Sequence, residues 1–435
     1  TVQARYQWAE DIRKAALKEN PALKIRHQTD KIDRILTHRV WGLLLFILVM
    51  YAVFQSIYTL AGPLMDLIEM GFSWAGETVS SAMTGPEWLR SLVVDGVIAG
   101  IGSVAIFLPQ ILILFGLISI LEGSGYLARA SFLMDRVLGW CGLNGKAFIP
   151  LLSSYACAIP GIMAARIMPD AKSRLATILV APLMSCSARL PVYILLIGAF
   201  IEPQYGAFVA GLTLFGMHLV GLFIAIPFAW FLNRKVLKGG RVPFMMELPP
   251  YQAPRWKDVI HAMVSKAKAF IQTAGTVIVA MSILIWAGLY FPRSEEAFQG
   301  YEAAYATKSA EFKERVPLEN YLESQHLEDS YLGQFGHAIE PVLAPAGFDW
   351  RISTAILAAF PAREVLVSSL GIIFDLGGDA DENSVDLRES LQRATWPDGR
   401  KLFTPATAFA LMVFFALCCQ CGSTLAAMKR ETGGW

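Results

Sequence analysis

The chain has 435 residues, 55% of them hydrophobic and 17% charged, with a mean hydropathy of +0.47. Soluble domains carry about 25% charged residues, so the composition excludes an ordinary soluble domain and points to an all-α, polytopic membrane protein. A net charge of +1 offers no excess of cations to neutralise phosphates and excludes nucleic acid as a partner.

Residues 4–39 are polar and charged, with a helical pattern that breaks at Pro21. They predict the end of a cytosolic helical domain (1–39) and contain no signal peptide. Residues 40–62 are long enough to cross a bilayer, which takes roughly 20 apolar residues. Residues 63–90 carry Asp66, Glu69, Glu77 and Glu87 and predict an amphipathic surface segment, so that 40–90 forms one unit. From residue 91 the chain is apolar but rich in glycine, with an interruption expected at Leu108-Pro109, and Glu122, Arg129, Asp135 and Arg136 are set into the apolar stretch beyond it. The next apolar segment, 148–168, is expected to break over 156–160, at Cys157 and Pro160. Residues 175–201 are interrupted at Pro182, at Ser185-Cys186-Ser187 and again from Arg189 to Pro191. Residues 206–232 form an uninterrupted span, which completes a unit over 91–232. A loop at 233–265 comes next, and a last unit over 266–435 contains apolar segments at 266–291, 353–374 and 405–428 and polar loops at 292–335 and 376–403.

Arg234, Lys235, Lys238, Arg241, Arg255 and Lys257 place the first of these loops in the cytosol by the positive-inside rule. The acidic 292–335 loop suits the outside, and the single span between the two loops agrees with that assignment.

Broken apolar segments carry the functional signal. Lipid cannot satisfy freed N–H and C=O groups, so irregular backbone at membrane depth has to line a cavity or be buried in protein. Broken helices in corresponding halves of a transporter mark its substrate path. Here 137–155 aligns without gaps to 342–360, with Gly142 on Gly347, Lys146 on Arg351 and Tyr155 on Phe360. Past the match, both copies place a helix breaker beside polar atoms, Cys157 to Pro160 in one and Pro361, Arg363 and Glu364 in the other. The expected architecture is therefore a pair of repeats built on broken transmembrane helices.

The six cysteines form no disulfide pattern. A buried cysteine is ordinarily a small hydrophobe, and a metal reading requires several to converge. Cys157, Cys186 and Cys421 are the candidates, with Met163 and Met184 as thioethers that otherwise pack. On a continuous helix Cys418 shares a face with Cys421. Ser185 and Ser187 are placed to satisfy backbone freed by the breaks. A mid-membrane charge costs about 2.5–3.5 kcal/mol, so Arg363 and Glu364 need partners, for which Glu122 and Arg129 are candidates. Glu364 reads as a metal or proton-coupling group, and Arg363 as structural. His218 stands alone within a span and reads as a packing residue.

The segments "DKIDRILTHRVWG" (30–42), "FLPQILILF" (107–115), "LEGSGYLARASFLMDR" (121–136), "GLNGKAFIPLLSSYACAIPGIMAAR" (142–166), "APLMSCSARLPVY" (181–193), "MELPPY" (246–251), "PAREVLV" (361–367) and "CGSTLAAMKRET" (421–432) resemble the membrane domain of the bacterial ferrous iron transporter FeoB family, in order and over nearly the whole chain. The resemblance implies two gate repeats, Fe²⁺ as transported substrate and a multi-pass location in the bacterial inner membrane. It also implies a GTPase domain or subunit that uses GTP and Mg²⁺, small cytosolic accessory proteins, and room for a homo-oligomer within the lipid. The chain has no GxxxxGK[ST], since "GLNGKAF" follows its lysine with alanine. A GTPase is therefore expected outside these residues, as is a last membrane helix. Where many members carry Gly-Cys-Asn at the first gate, this chain has Ala156-Cys157-Ala158.

The alternatives are a nucleoside, small-solute or other divalent-metal permease, a membrane metalloenzyme, and a non-transporting assembly subunit. The chain itself is expected not to be an enzyme, because it holds no HExxH, histidine cluster or nucleophile–base pair. Spaced cysteines in broken helices favour a metal permease.

Overall fold

A computed structural model describes residues 7–8, 11–12, 26–38, 40–168, 170–237, 248–363, 365–378, 380–419 and 421–434. Glu364, most of the N-terminal linker and residues 238–247 of the basic loop lie outside the described residues. Among the described residues there is no strand, and a lone bridge joins Thr395 to Lys401.

A short helix α1 (Arg26–Leu36) leads into α2 (Trp41–Ala82), an unbroken helix of 42 residues with Pro63 inside it. At 1.5 Å per residue α2 is about 63 Å long, twice the thickness of a bilayer core. The surface segment expected at 63–90 is instead its continuation. Helix α3 (Glu87–Gly123) packs along α2 and runs through Pro109. The interruption expected at Leu108-Pro109 does not occur. A proline costs less in a membrane helix, where neighbouring helices take up the freed carbonyl.

Helix α4 (Tyr126–Trp140) ends in a turn at Gly142, whose φ of +79° favours glycine. The chain then enters the membrane as two short arms, α5 (Phe148–Ala156) and α6 (Ala158–Ala164). Nine residues rise about 14 Å, half a bilayer core. Gly161 of α6 lies against Pro150 and Ser154 of α5, and a Cβ there would clash with the Ser154 hydroxyl, so the arms fold back side by side. Helices α7 (Ala171–Val180) and α8 (Leu190–Phe200) form one broken crossing, and α9 (Glu202–Phe231) and α10 (Trp256–Tyr290) are full crossings.

Residues 292–343 are helical rather than a loop: α11 (Glu295–Ala306), α12 (Ala310–Arg315), α13 (Leu318–Asp329) and α14 (Tyr331–Leu343). A second pair of arms follows, α15 (Trp350–Ala358) and α16 (Val365–Ile373), then α17 (Val385–Arg393) in the expected 376–403 loop. The chain closes with a second broken crossing, α18 (Pro405–Leu417) and α19 (Gly422–Thr432). Arg351 at the start of α15 sits over the Phe374 ring just past α16, 5.6 Å away, so this hairpin is also re-entrant.

The repeat is visible in backbone hydrogen bonds. Leu143 N–H donates to Leu138 and Gly142 N–H to Gly139, while Phe348 donates to Leu343 and Gly347 to Ala344. These are matching Schellman turns, each with a left-handed glycine. Asn144 and Asp349 then cap the next helical turn. "GLNGKAF" is thus a helix-to-helix turn.

The hairpins enter from opposite faces. The first lies beside Asn233 and the α19 end, on the face that holds α1, here called proximal. The second lies beneath α13 and α17, on the distal face. The basic and acidic segments accordingly flank α10 on opposite faces. An inverted pair of broken-helix repeats of this kind is a transporter architecture. Among the described residues six helical runs are long and apolar enough to cross a membrane, which makes the chain a multi-pass, all-α membrane protein.

Candidate functional site

The ends of the broken elements surround one cavity of about 100 Å³. The first break is narrower than the expected 156–160. Cys157 alone is extended, at φ −153° and ψ 134°, and Pro160 already lies in the first turn of α6, where proline is tolerated. The second runs through the 3₁₀ turns Ala181–Leu183 and Ser187–Arg189 on either side of an extended stretch at Met184 to Cys186. Pro191 again sits in a first helical turn, that of α8. The third lies between Ala358 and Val365 and the fourth at Cys418 to Cys421. The cavity takes Cys157 from the first break, Met184, Cys186 and Ser187 from the second, Pro361 and Arg363 from the third, and Cys421 from the fourth.

Two arginines close the broken ends. Arg189 donates to the Met184 and Pro182 carbonyls, both at 2.9 Å. Arg363 donates to Phe415 at 3.0 Å and Cys418 at 2.8 Å. Their side chains are buried without a carboxylate partner in reach among the described residues. Helix C-termini carry partial negative charge, so the guanidinium groups neutralise the ends they cap. The serines act between elements: Ser185 donates to the His218 carbonyl at 3.1 Å, and Ser187 to the Ala156 carbonyl at 3.4 Å. His218 holds its own helix through the Leu214 carbonyl and packs edge-on to Tyr193, as a packing residue does.

Several expected residues lie elsewhere. Met163 packs in an apolar cluster with Ile162 and Phe270 and does not line the cavity. Cys418 is not on a continuous helix with Cys421, because the chain is extended at both, and it stays off the cavity wall. Arg129 is no counter-charge for the second repeat. It is 1% exposed and pairs with Asp33 of α1 at 3.0 Å, donates to the Pro249 carbonyl and stacks on Tyr251. Burial opposes ionisation of Asp33, but hydrogen bonds from Arg129 and Tyr251 hold its carboxyl below the ordinary value. Glu122 is exposed on the proximal side near Arg255, far from a buried-partner role.

Gln110 was not anticipated. It reaches the cavity from the unbroken α3, and its amide nitrogen donates to Ser187 at 2.9 Å. A lone amide within an apolar run, next to Pro109, was the available signal. Among the described residues no three His, Cys, Asp or Glu side chains stand close enough to hold a metal ion together. The sulfurs share a cavity without forming a closed cage.

The family model described as nucleoside recognition, Gate, matches residues 104–200 and 271–435, and the model for the ferrous iron transport protein B C terminus matches 214–266. The chain belongs to the FeoB family, as its membrane domain. It is 42% identical over 408 residues to the Fe(2+) transporter FeoB of Leptospira biflexa, covering 93% of this chain and 56% of that protein. It is 42% identical over 422 residues to a Fe(2+) transport protein A/Fe(2+) transporter FeoB fusion protein of Porphyromonas gingivalis, covering 95% and 49%. With the Fe(2+) transporter FeoB of Helicobacter pylori it shares 35% identity over 436 residues, 98% of this chain and 66% of that one. The chain spans about half the length of the first two FeoB relatives. No solved structure matches it. The two Gate matches contain the four breaks, and the C-terminus match covers most of α9 and the start of α10, the crossings that join the repeats.

Proposed function

We propose that the chain carries Fe²⁺ across a bacterial inner membrane through the cavity between its four breaks. The observation that carries this reading is the convergence of Cys157, Cys186 and Cys421, from three separate breaks, on one small cavity. Sulfur ligands favour ferrous iron over magnesium and calcium, which prefer oxygen. An open arrangement of few ligands also allows release, which a closed thiolate cage would not. A volume of about 100 Å³ holds an ion and a few waters, whereas pockets for drug-sized molecules begin near 300 Å³. That difference argues against a nucleoside as cargo.

The names of the relatives support iron as substrate, and the fusion protein supports a small accessory partner. GTP hydrolysis with Mg²⁺ would come from a domain or subunit outside these residues, and an oligomer within the lipid fits the same reading. Flux into proteoliposomes tests the proposal, with Fe²⁺, Mn²⁺, Zn²⁺ and a nucleoside offered in parallel. Fe²⁺ uptake above protein-free vesicles, with no nucleoside uptake, is the expected result. Nucleoside uptake without metal uptake overturns it.

A further inference from the structure

The polar wall of the cavity contains a device that fixes the orientation of one amide. Ser187 has a single hydroxyl proton, and the Ala156 carbonyl, the last of α5 before the first break, lies 3.4 Å from its oxygen as the acceptor for it. The Ser187 oxygen can then only accept from Gln110. This sets the Gln110 side chain with its nitrogen toward Ser187 and its carbonyl oxygen turned away from it. Gln110 lines the cavity, and among the described residues that oxygen has no hydrogen-bond partner. The Gln110 backbone belongs to α3, which passes the breaks as a continuous helix, so the root of the side chain stays in place while its amide answers to Ser187.

We propose that Gln110 gives its amide oxygen to the cation in the cavity, directly or through one water, and so sets the preference for Fe²⁺ over softer ions. The proposal rests on the Fe²⁺ reading above. A wall of cysteines alone selects soft, tightly held ions, and the divalent series places Zn²⁺ and Cu²⁺ above Fe²⁺ on most donor sets. An oxygen donor at fixed distance shifts that balance toward harder ions and weakens the overall grip, which favours release. The Ser187 bridge adds a second consequence. Gln110 touches the second break directly and the first through Ser187, so movement of either arm alters the donor set around the ion.

The test compares Gln110→Leu, Gln110→Glu and the parent chain in two measurements. In detergent, Co²⁺ serves as the probe, because its visible bands separate four-coordinate from higher-coordinate sites. In proteoliposomes, the ratio of Fe²⁺ to Cd²⁺ uptake is read. Loss of the oxygen should shift Co²⁺ toward the four-coordinate spectrum and lower the Fe²⁺/Cd²⁺ ratio roughly tenfold or more, the scale seen when a supporting group of a metal site is removed. Gln110→Glu keeps an oxygen and should restore the ratio while raising Mn²⁺ uptake. Equal losses for both ions, with an unchanged Co²⁺ spectrum, would show that Gln110 only packs and overturn the proposal. A parent chain that shows a Gln110-dependent Co²⁺ spectrum but carries no Fe²⁺ refutes the iron reading and upholds the ligand role. A parent chain that binds no Co²⁺ refutes both.

Discussion

Arg363 donates a hydrogen bond of 2.8 Å to the Cys418 carbonyl, tying the tip of the second hairpin to the broken end of α18. The same guanidinium holds the Phe415 carbonyl, and the side chain is 5% exposed. An unpaired buried carbonyl costs about 1–3 kcal/mol. Arg363→Leu leaves both carbonyls unpaired and should lower the unfolding midpoint of the detergent-solubilised chain sharply, whereas Arg363→Lys, which retains one donor group, should fall between. An Arg363→Leu variant as stable as the parent would mean that water fills the gap and that the cap is dispensable.

The cysteine pair gives the sharpest functional expectation. Cys157 and Cys186 stand on different breaks of the first repeat, so any relative movement of the breaks changes their separation. Cys157→Ser and Cys186→Ser keep the size and remove the soft sulfur. Each should reduce Fe²⁺ uptake by proteoliposomes while leaving the amount of folded protein unchanged. The double variant should be little worse than the worse single one, because residues acting as one site are not additive. Normal rates and normal metal preference in both single variants would make the cysteines packing residues.

Glu431 joins the repeats on the proximal face. Its carboxylate, 2% exposed, accepts from Arg166 at 2.5 Å and from Arg174 at 2.7 Å, so the last turn of α19 is fastened to the start of α7 and to the turn after α6. Glu431→Gln removes the charge and should loosen this closure. The expected outcome is faster labelling of Cys157 by an impermeant maleimide added on the proximal side, with labelling from the distal side unchanged. Equal rates in the variant and the parent would remove the clamp from the access route.

Asp375 comes after α16 on the distal face, outside the membrane-spanning segments, with a left-handed φ of 62° and one carboxylate oxygen buried without a partner. Burial pushes its carboxyl up to about 6, against the Ser324 hydroxyl and the Lys308 charge. A raised carboxyl means that the fold resists the ionised form. Stability is then full below the ordinary value near 4, falls as pH rises to about 6 and stays low above it. Asparagine tolerates the same backbone and never ionises. Asp375→Asn should therefore raise the unfolding midpoint at pH 7, match the parent at pH 4, and flatten the profile between them. An identical pH profile in the two proteins would remove Asp375 as its source.

The sequence is informative where it breaks its own periodicity. Proline, serine and cysteine inside apolar runs locate the first two breaks, and the Gly142–Gly347 match locates the turn before each hairpin. The match cannot reveal that the break in the second hairpin, the third of the four, is longer than that at Cys157, because that depends on where Arg363 finds its carbonyls. The partner of Arg129 is equally hidden, since Asp33 lies in a polar helix 96 residues away and pairing across such a distance leaves no local pattern. Pro63 and Pro109 read as ends because the usual rule assumes water around the freed carbonyl. The 292–335 segment reads as a loop from its charge, and charge alone does not distinguish a loop from helices lying outside the membrane.

The opposed entry of the hairpins bears on the direction of transport. A path bounded by one arm from each face presents nearly the same obstacle to an ion arriving from either side. On the proposed reading such a cavity would act as a two-way turnstile, with net movement imposed from outside it, by the concentrations on the two sides or by a lever acting on one face. The contact of Asp33 with Arg129 exists on the proximal face, at the base of α4, which leads through the Gly142 turn into the first hairpin. On the proposed reading, a load on α1 would act on the lead-in to the first hairpin, through Arg129 of α4, and this gives the two hairpins unequal handles.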